Sequence, residues 1–178
     1  MKRAIPCLLF WFAPFAMSAS DLAVTAHITE TGHANDGWHH DAFAVVAEVR
    51  NVSAGPVIAI MMRCSWSDSW RFDPKDGFEI PIWGCDSNYP SNYTFAPGGG
   101  WLFRFVVVST TGSIQGTKVR IGFTYVRPPL DFSRWEKQLE AAPVIWSQEL
   151  TVPKILDRPI VDWEERKELP SESANRKP

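Results

Sequence analysis

The sequence predicts an all-β protein, an antiparallel β-sandwich of about seven strands with one short helix inserted before the last strand. Three observations predict it. Apolar residues recur at every second position through most of the chain, and Gly, Pro and Asn turns separate the segments so patterned. No strand–helix–strand alternation is present, which argues against a doubly wound sheet. The chain has 178 residues, 14 of them Pro, so it is long enough for one domain with a real core and too rich in proline for a helical bundle.

The elements follow in chain order. "LAVTAHITET", from Leu22, opens the patterned region. In "DAFAVVAEVRN", Phe43, Val45, Ala47 and Val49 share one face while Glu48 and Arg50 share the other, the mark of a half-buried strand. "VSAGP" turns the chain. "VIAIMMRCSW" places Ile58, Ile60, Met62, Cys64 and Trp66 on one parity, which is expected to point inward. A short "FEIPIW" follows. "WLFRFVVVS" sets Phe103, Phe105 and Val107 against Arg104, and "KVRIGFTYV" sets Val119, Ile121, Phe123 and Tyr125 against Lys118, Arg120 and Thr124. "SRWEKQLEAA" predicts a helix over Ser133–Ala142, opened by a Ser133-x-x-Glu136 capping box and stopped by Pro143. "VIWSQELTV" is mixed in pattern, as on an edge strand.

The two ends stand apart from this domain, which spans residues 21–161. Residues 1–20 read as a signal peptide: a positive "MKR", an apolar stretch broken by Pro6 and Pro14, then the small residues of "MSAS". The apolar run is too short and too interrupted for a spanning helix, so no stable membrane span is expected in the mature chain. Loss of Lys2 and Arg3 takes the formal charge from −2 to −4, which leaves no basic surplus for nucleic acid. Residues 162–178 form a charged tail, expected to be largely disordered with at most one helical turn. The protein is therefore expected to be exported, periplasmic or extracellular.

Once Cys7 leaves with the signal, Cys64 and Cys85 remain. An even count in an oxidising compartment predicts a disulfide between them, closing a loop of about twenty residues and contributing roughly 3 kcal/mol.

"VRNVSAGPVIAI…WRFDPKDGFEI…FAPGGGWLFRF", within about Val45–Val108, is similar to a pattern of bacterial immunoglobulin-like domains: Asn-x-Ser ends a strand, a Pro-led strand follows, and a Pro-Gly turn precedes an aromatic strand. The look-alike is the bacterial intracellular proteinase inhibitor family, a small β-sandwich. The resemblance implies an immunoglobulin-like fold and, by analogy, an inhibitor or immunity-type activity toward a secreted enzyme. The signal and the cysteine pair depart from that family.

The stretch "RCSWSDSWRFD" carries the candidate site. An extended strand through Trp70 would place Trp66, Asp68 and Trp70 on one face, as in sugar-binding surfaces. A strand ending near Ser67 would instead leave Trp66 in the core, packed on the disulfide, with Asp68 capping a turn. We expect the latter, with Asp68–Trp83 as a stapled loop in which Asp68, Trp70, Phe72 and Trp83 contact a partner and Trp70 is its largest anchor. Arg71, Asp73, Lys75 and Asp76 keep that loop solvated. Trp70, Phe72, Phe78 and Trp83 also suit a small satellite core under the loop. "HANDGWHHDAF" groups three of the four histidines, but His39 and His40 are adjacent and match no ligand spacing, so no metal is expected. No nucleophile or phosphate-loop motif is present and no cofactor is expected. The leading reading is a non-catalytic module that binds a protein or peptide, ahead of a carbohydrate- or envelope-binding module. Asn51-Val52-Ser53 and Asn92-Tyr93-Thr94 are glycosylation sequons.

Overall fold

The two most regular alternating segments, β1 (Leu22–Ala34) and β2 (Asp41–Asn51), pair antiparallel from Leu22 opposite Asn51 to His33 opposite Asp41. The register shifts between Ile28 and Glu30, a bulge at Thr29. The computed structural model describes residues 20–35, 39–81, 88–160 and 165–171. Within them the chain is all-β, built in antiparallel sheets with one short helix.

The strands fall into two layers. Along the chain come β3 (Val57–Met62), β4 (Trp70–Asp73), β5 (Phe78–Glu79), β6 (Pro90–Phe95), β7 (Gly100–Ser109) and β8 (Lys118–Phe123). Helix α1 (Trp135–Ala141) follows, then β9 (Ile145–Trp146), β10 (Leu150–Thr151), β11 (Pro159–Ile160) and β12 (Glu165–Leu169). One sheet runs β11-β1-β2-β7-β12, with β5 also on β7; its β1–β11 pair is parallel. Facing it, β8 carries β4 on one side, and β9 and β10 also pair with it. The β3–β6 ribbon joins this layer through a bridge between Ile60 and Val126.

The core lies between the layers. Phe43, Val45, Ala47 and Val49 of β2 and Phe103, Phe105 and Val107 of β7 meet Val119, Ile121 and Phe123 of β8. All ten are fully buried, as alternation predicts for those strands. The start of β2 is apolar on both parities, and its second face is covered as well: Ala42 and Ala44 pack with Val106, Val108 and Ile160 of β11. Asn51 ends β2 as a buried hub. Its side-chain amide donates to the carbonyls of Gly55 (2.7 Å) and Phe95 (2.8 Å), and its side-chain oxygen accepts from the Ser53 N–H and hydroxyl.

Four sequence expectations are corrected here. In β3 the core face is Val57, Ala59 and Met61; Ile58 is exposed, and Ile60 points the other way, under Leu139 of α1. A run apolar on both parities holds no alternation from which to choose a face. The strand then stops at Met62, so Cys64 lies outside it and Trp66 enters the core from a 3-10 turn. The capping box does not form. Asp131 accepts from the Ser133 N–H (3.0 Å) and hydroxyl (2.7 Å), which spends that serine on a 3-10 turn over Phe132–Arg134 and delays α1 to Trp135. Finally, part of the tail is a strand: β12 pairs with β7, Glu165 opposite Arg104, and the Arg166 guanidinium lies over the rings of Tyr93 (4.7 Å) and Trp101 (5.9 Å). Charged residues suit an exposed edge, where pairing needs only the backbone.

Candidate functional site

The site begins with a change of backbone at Ser65. The Asp68 N–H donates to the Ser65 carbonyl (3.0 Å) and the Trp70 N–H to that of Ser67, closing a 3-10 turn over Trp66–Ser69. This turn sends both tryptophans inward. Trp66 lies 5.3 Å from the Phe103 ring, and Trp70 lies 4.9 Å from Phe105 and 5.2 Å from Phe123. Trp70 is only 4% exposed, so it is a core residue and not the surface anchor of a solvated loop. Behind it, the Ser69 hydroxyl and the Trp70 indole N–H are buried without hydrogen-bond partners among the described residues.

From Trp70 the chain extends as β4, pairing Trp70 with Phe123 and Asp73 with Arg120. Alternation keeps Phe72 on the inward side, where its ring meets that of Phe78 at 5.9 Å. Arg71 folds back, its Nη1 donating to the carbonyls of Asp68 (2.6 Å) and Trp70 (2.8 Å). Asp73 is paired with Arg120, whose guanidinium also lies 5.3 Å from the Trp146 ring.

These elements enclose a groove of about 360 Å³ along β4, lined by Asp68, Trp70, Phe72 and Lys75 together with Phe78, Glu79 and Ile80, so that two carboxylates and one lysine border it beside the engaged Arg71. A hollow of about 620 Å³ shares Arg71, Phe72 and Lys75 with it and is closed by Glu140, Val144 and Trp146. Gly122 of β8 permits that closure: a Cβ there would lie 2.4 Å from Val144 Cγ1 and 2.7 Å from the Trp146 ring. Burial pushes the Asp68 carboxyl above its ordinary value; the Arg71 charge opposes this and the nearby Glu136 charge adds to it. A separate hollow of about 460 Å³ lies between Met62 and Pro90 on one side and Phe132–Lys137 on the other.

Three of the four expected contact residues, Asp68, Trp70 and Phe72, thus line one groove. Trp83 and Cys85 lie outside the described residues, as does the rest of 82–87. The stretch Asp68–Ile80 is not a plain loop, since it contains the end of a 3-10 turn and two strands. Sequence reading missed Trp146, Glu140 and Glu136 as neighbours, because roughly seventy residues of chain separate them from β4 and no local pattern reports such a contact. Elsewhere, the rings of His39 and His33 sit 6.3 Å apart and His33 Nδ1 is 3.5 Å from Asp41 Oδ1. Among the described residues, no three His, Cys, Asp or Glu side chains gather so as to hold a metal ion. Likewise, no described helix is long and apolar enough to cross a membrane. The chain matches no family model, no curated protein and no solved structure.

Proposed function

We propose that this protein is an exported, non-catalytic β-sandwich that binds a protein or peptide partner in the groove along β4. The observation that carries the reading is the convergence of Asp68, Phe72 and Lys75 on one open groove floored by the buried Trp70. The Asp68 carboxyl supports the reading: it is half-buried beside Arg71 and held above its ordinary value by burial, and carboxyls so perturbed gather at functional sites. Export is supported by the n-, h- and c-regions of residues 1–20.

A Cys64–Cys85 bridge would brace the entry to the site. The Arg63 N–H donates to the Tyr89 carbonyl (3.0 Å), and the N–H groups of Cys64 and Ser65 donate to Asn88 Oδ1 (3.3 and 3.2 Å). These contacts return the chain to Cys64 within a few residues of Cys85. The carbohydrate reading draws less support: of the described tryptophans, Trp66 and Trp70 are in the core and Trp101, Trp135 and Trp146 are partly covered.

The test is a photo-crosslinking amino acid placed at Glu79, an exposed residue of the groove lining, and separately at Lys137 beside the other hollow, in the exported protein in its own cells. A discrete protein adduct from position 79, lost with Asp68→Asn or Phe72→Leu in folded protein, is the expected result. Adducts from position 137 alone, or none from either, would sink the reading.

A further inference from the structure

We infer that residues 128–143, which carry α1, form a lid that opens as a unit from the outer face of β8 and uncovers a cleft across that face. This does not depend on the groove along β4 being the partner site. The segment is clamped at both ends. Before it, Ile60 and Val126 exchange backbone hydrogen bonds (2.8 and 3.3 Å). After it, Ile145 and Trp146 of β9 pair with Phe123 and Gly122. Between the clamps only Leu139 is buried, seated on Ile60 and Val126 with the partly buried Leu130 and Trp135 around it. Phe132 is 71% exposed. The polar contacts hold the segment to itself: the Asp131 N–H donates to Gln138 Oε1 (3.1 Å), the Asp131 carboxylate pairs with Arg134 (3.5 Å), and the Ala142 N–H donates to the Leu139 carbonyl (3.4 Å). Glu136, Lys137 and Glu140 form no ion pair among the described residues.

Alternation along β8 shows what the lid covers. Val119, Ile121, Phe123 and Tyr125 face the core, the Tyr125 ring stacked on Phe123 at 6.0 Å, so Gly122, Thr124 and Val126 face the other way. Leu139 sits on Val126, and Val144 and Trp146 lie over Gly122. Thr124 lies between them, fully buried. Ser69, also buried, is opposite Thr124, one step before the Trp70–Phe123 pair, and its carbonyl accepts from the Thr124 N–H (2.8 Å). Neither hydroxyl has a hydrogen-bond partner among the described residues. Buried hydroxyls left unpaired are costly, and opening the lid hands these two to water, which makes opening easier. Burial raises the Asp68 carboxyl, the Arg71 charge opposes this and the Glu136 charge adds to it, so these two carboxylates repel across the edge of the lid. The lid is also undercut. The hollow of about 460 Å³ separates residues 132–137 from Met62 and Pro90, and one of about 380 Å³ separates Pro128, Leu130 and Phe132 from Ile60 and Asn92. The hollow of about 620 Å³ reaches Glu140 from the far side. Opening joins the three into one cleft, floored by the apolar Ile60 and Val126 and the hydroxyls of Ser69 and Thr124. A ligand of that floor must displace Leu139.

Amide hydrogen exchange of the whole mature protein, followed by NMR in increasing sub-denaturing urea, tests this. The amides of Leu139, Glu140 and Ala141 are expected to share one opening equilibrium and, corrected for intrinsic rates, to exchange about a hundredfold or more faster than those of β8. Thr124→Val keeps the side-chain shape and removes one unpartnered hydroxyl, and is expected to slow exchange of the lid amides by about tenfold. Ser69→Ala carries the same expectation and takes its place if the first variant does not fold. Lid amides as protected as those of β8 overturn the lid. So do three unrelated opening equilibria, which describe a helix fraying residue by residue. Lid exchange that is unchanged or faster in the hydroxyl variants overturns the part given to Ser69 and Thr124.

Discussion

Trp70 shows how far one residue's setting departs from its neighbours in sequence. Ser67, Asp68, Ser69 and Arg71 around it are polar, so a solvated loop beyond the end of a strand is the natural reading of the stretch. The 3-10 turn rotates the indole back among Phe103, Phe105 and Phe123. Trp70→Ala should therefore destabilise the protein by about 3–5 kcal/mol, as Trp66→Ala should, in thermal or urea melts. A loss below about 1 kcal/mol would place Trp70 outside the core. Asp68 makes a second residue-scale prediction. A carboxyl raised in the folded state binds more protons folded than unfolded between its ordinary value of 3.8 and the raised one. Stability attributable to Asp68 is thus highest below that window and falls as pH rises through it. Asp68→Asn should abolish this slope and leave the protein more stable at neutral pH, with no difference in strong acid. Melting temperatures of the two proteins across that range would decide it.

At the scale of elements, strands were legible where only one parity is apolar. β7 and β8 alternate Phe103/Arg104/Phe105 and Val119/Arg120/Ile121, and the structure buries the apolar set in each. β3 failed because both parities are apolar, and β12 because its pairing to β7 is made by backbone beneath charged side chains. β4 was illegible as a strand for a related reason: four residues are too few to display a period, and its burial is supplied by β8. The candidate site was legible in its neighbourhood, Asp68 to Phe72, but not in its far wall at Glu140 and Trp146. Gly122→Ala should displace Trp146 from that wall, costing about 1–3 kcal/mol and shifting tryptophan fluorescence to the red. Arg166→Ala should loosen β12, lowering stability by about 1 kcal/mol and speeding exchange of the β12 amides.

For the whole molecule, two layers share one core, to which Trp66, Trp70 and Phe78 belong and against which Phe72 packs. The groove is a property of the sandwich as a whole: its lining comes from β4, which pairs with β8 of one layer, and from β5, which pairs with β7 of the other. Replacing both Cys64 and Cys85 by serine should lower stability by roughly 3 kcal/mol in non-reducing melts if they are bridged, and leave it unchanged under reducing conditions. The buried Asn51 hub has a consequence for biosynthesis. Asn51-Val52-Ser53 reads as an acceptor for an N-linked glycan, yet in the folded protein its amide nitrogen is engaged by two carbonyls and no sugar could be accommodated there. Asn92, by contrast, is exposed on β6. Made in a host that glycosylates secreted chains, the protein faces a race at Asn51 between closure of β2 on its neighbours and the transferase. Secreted molecules should carry glycan on Asn92 and none on Asn51, while chains modified at Asn51 should be withheld by quality control; glycopeptide mapping of the two pools would tell them apart.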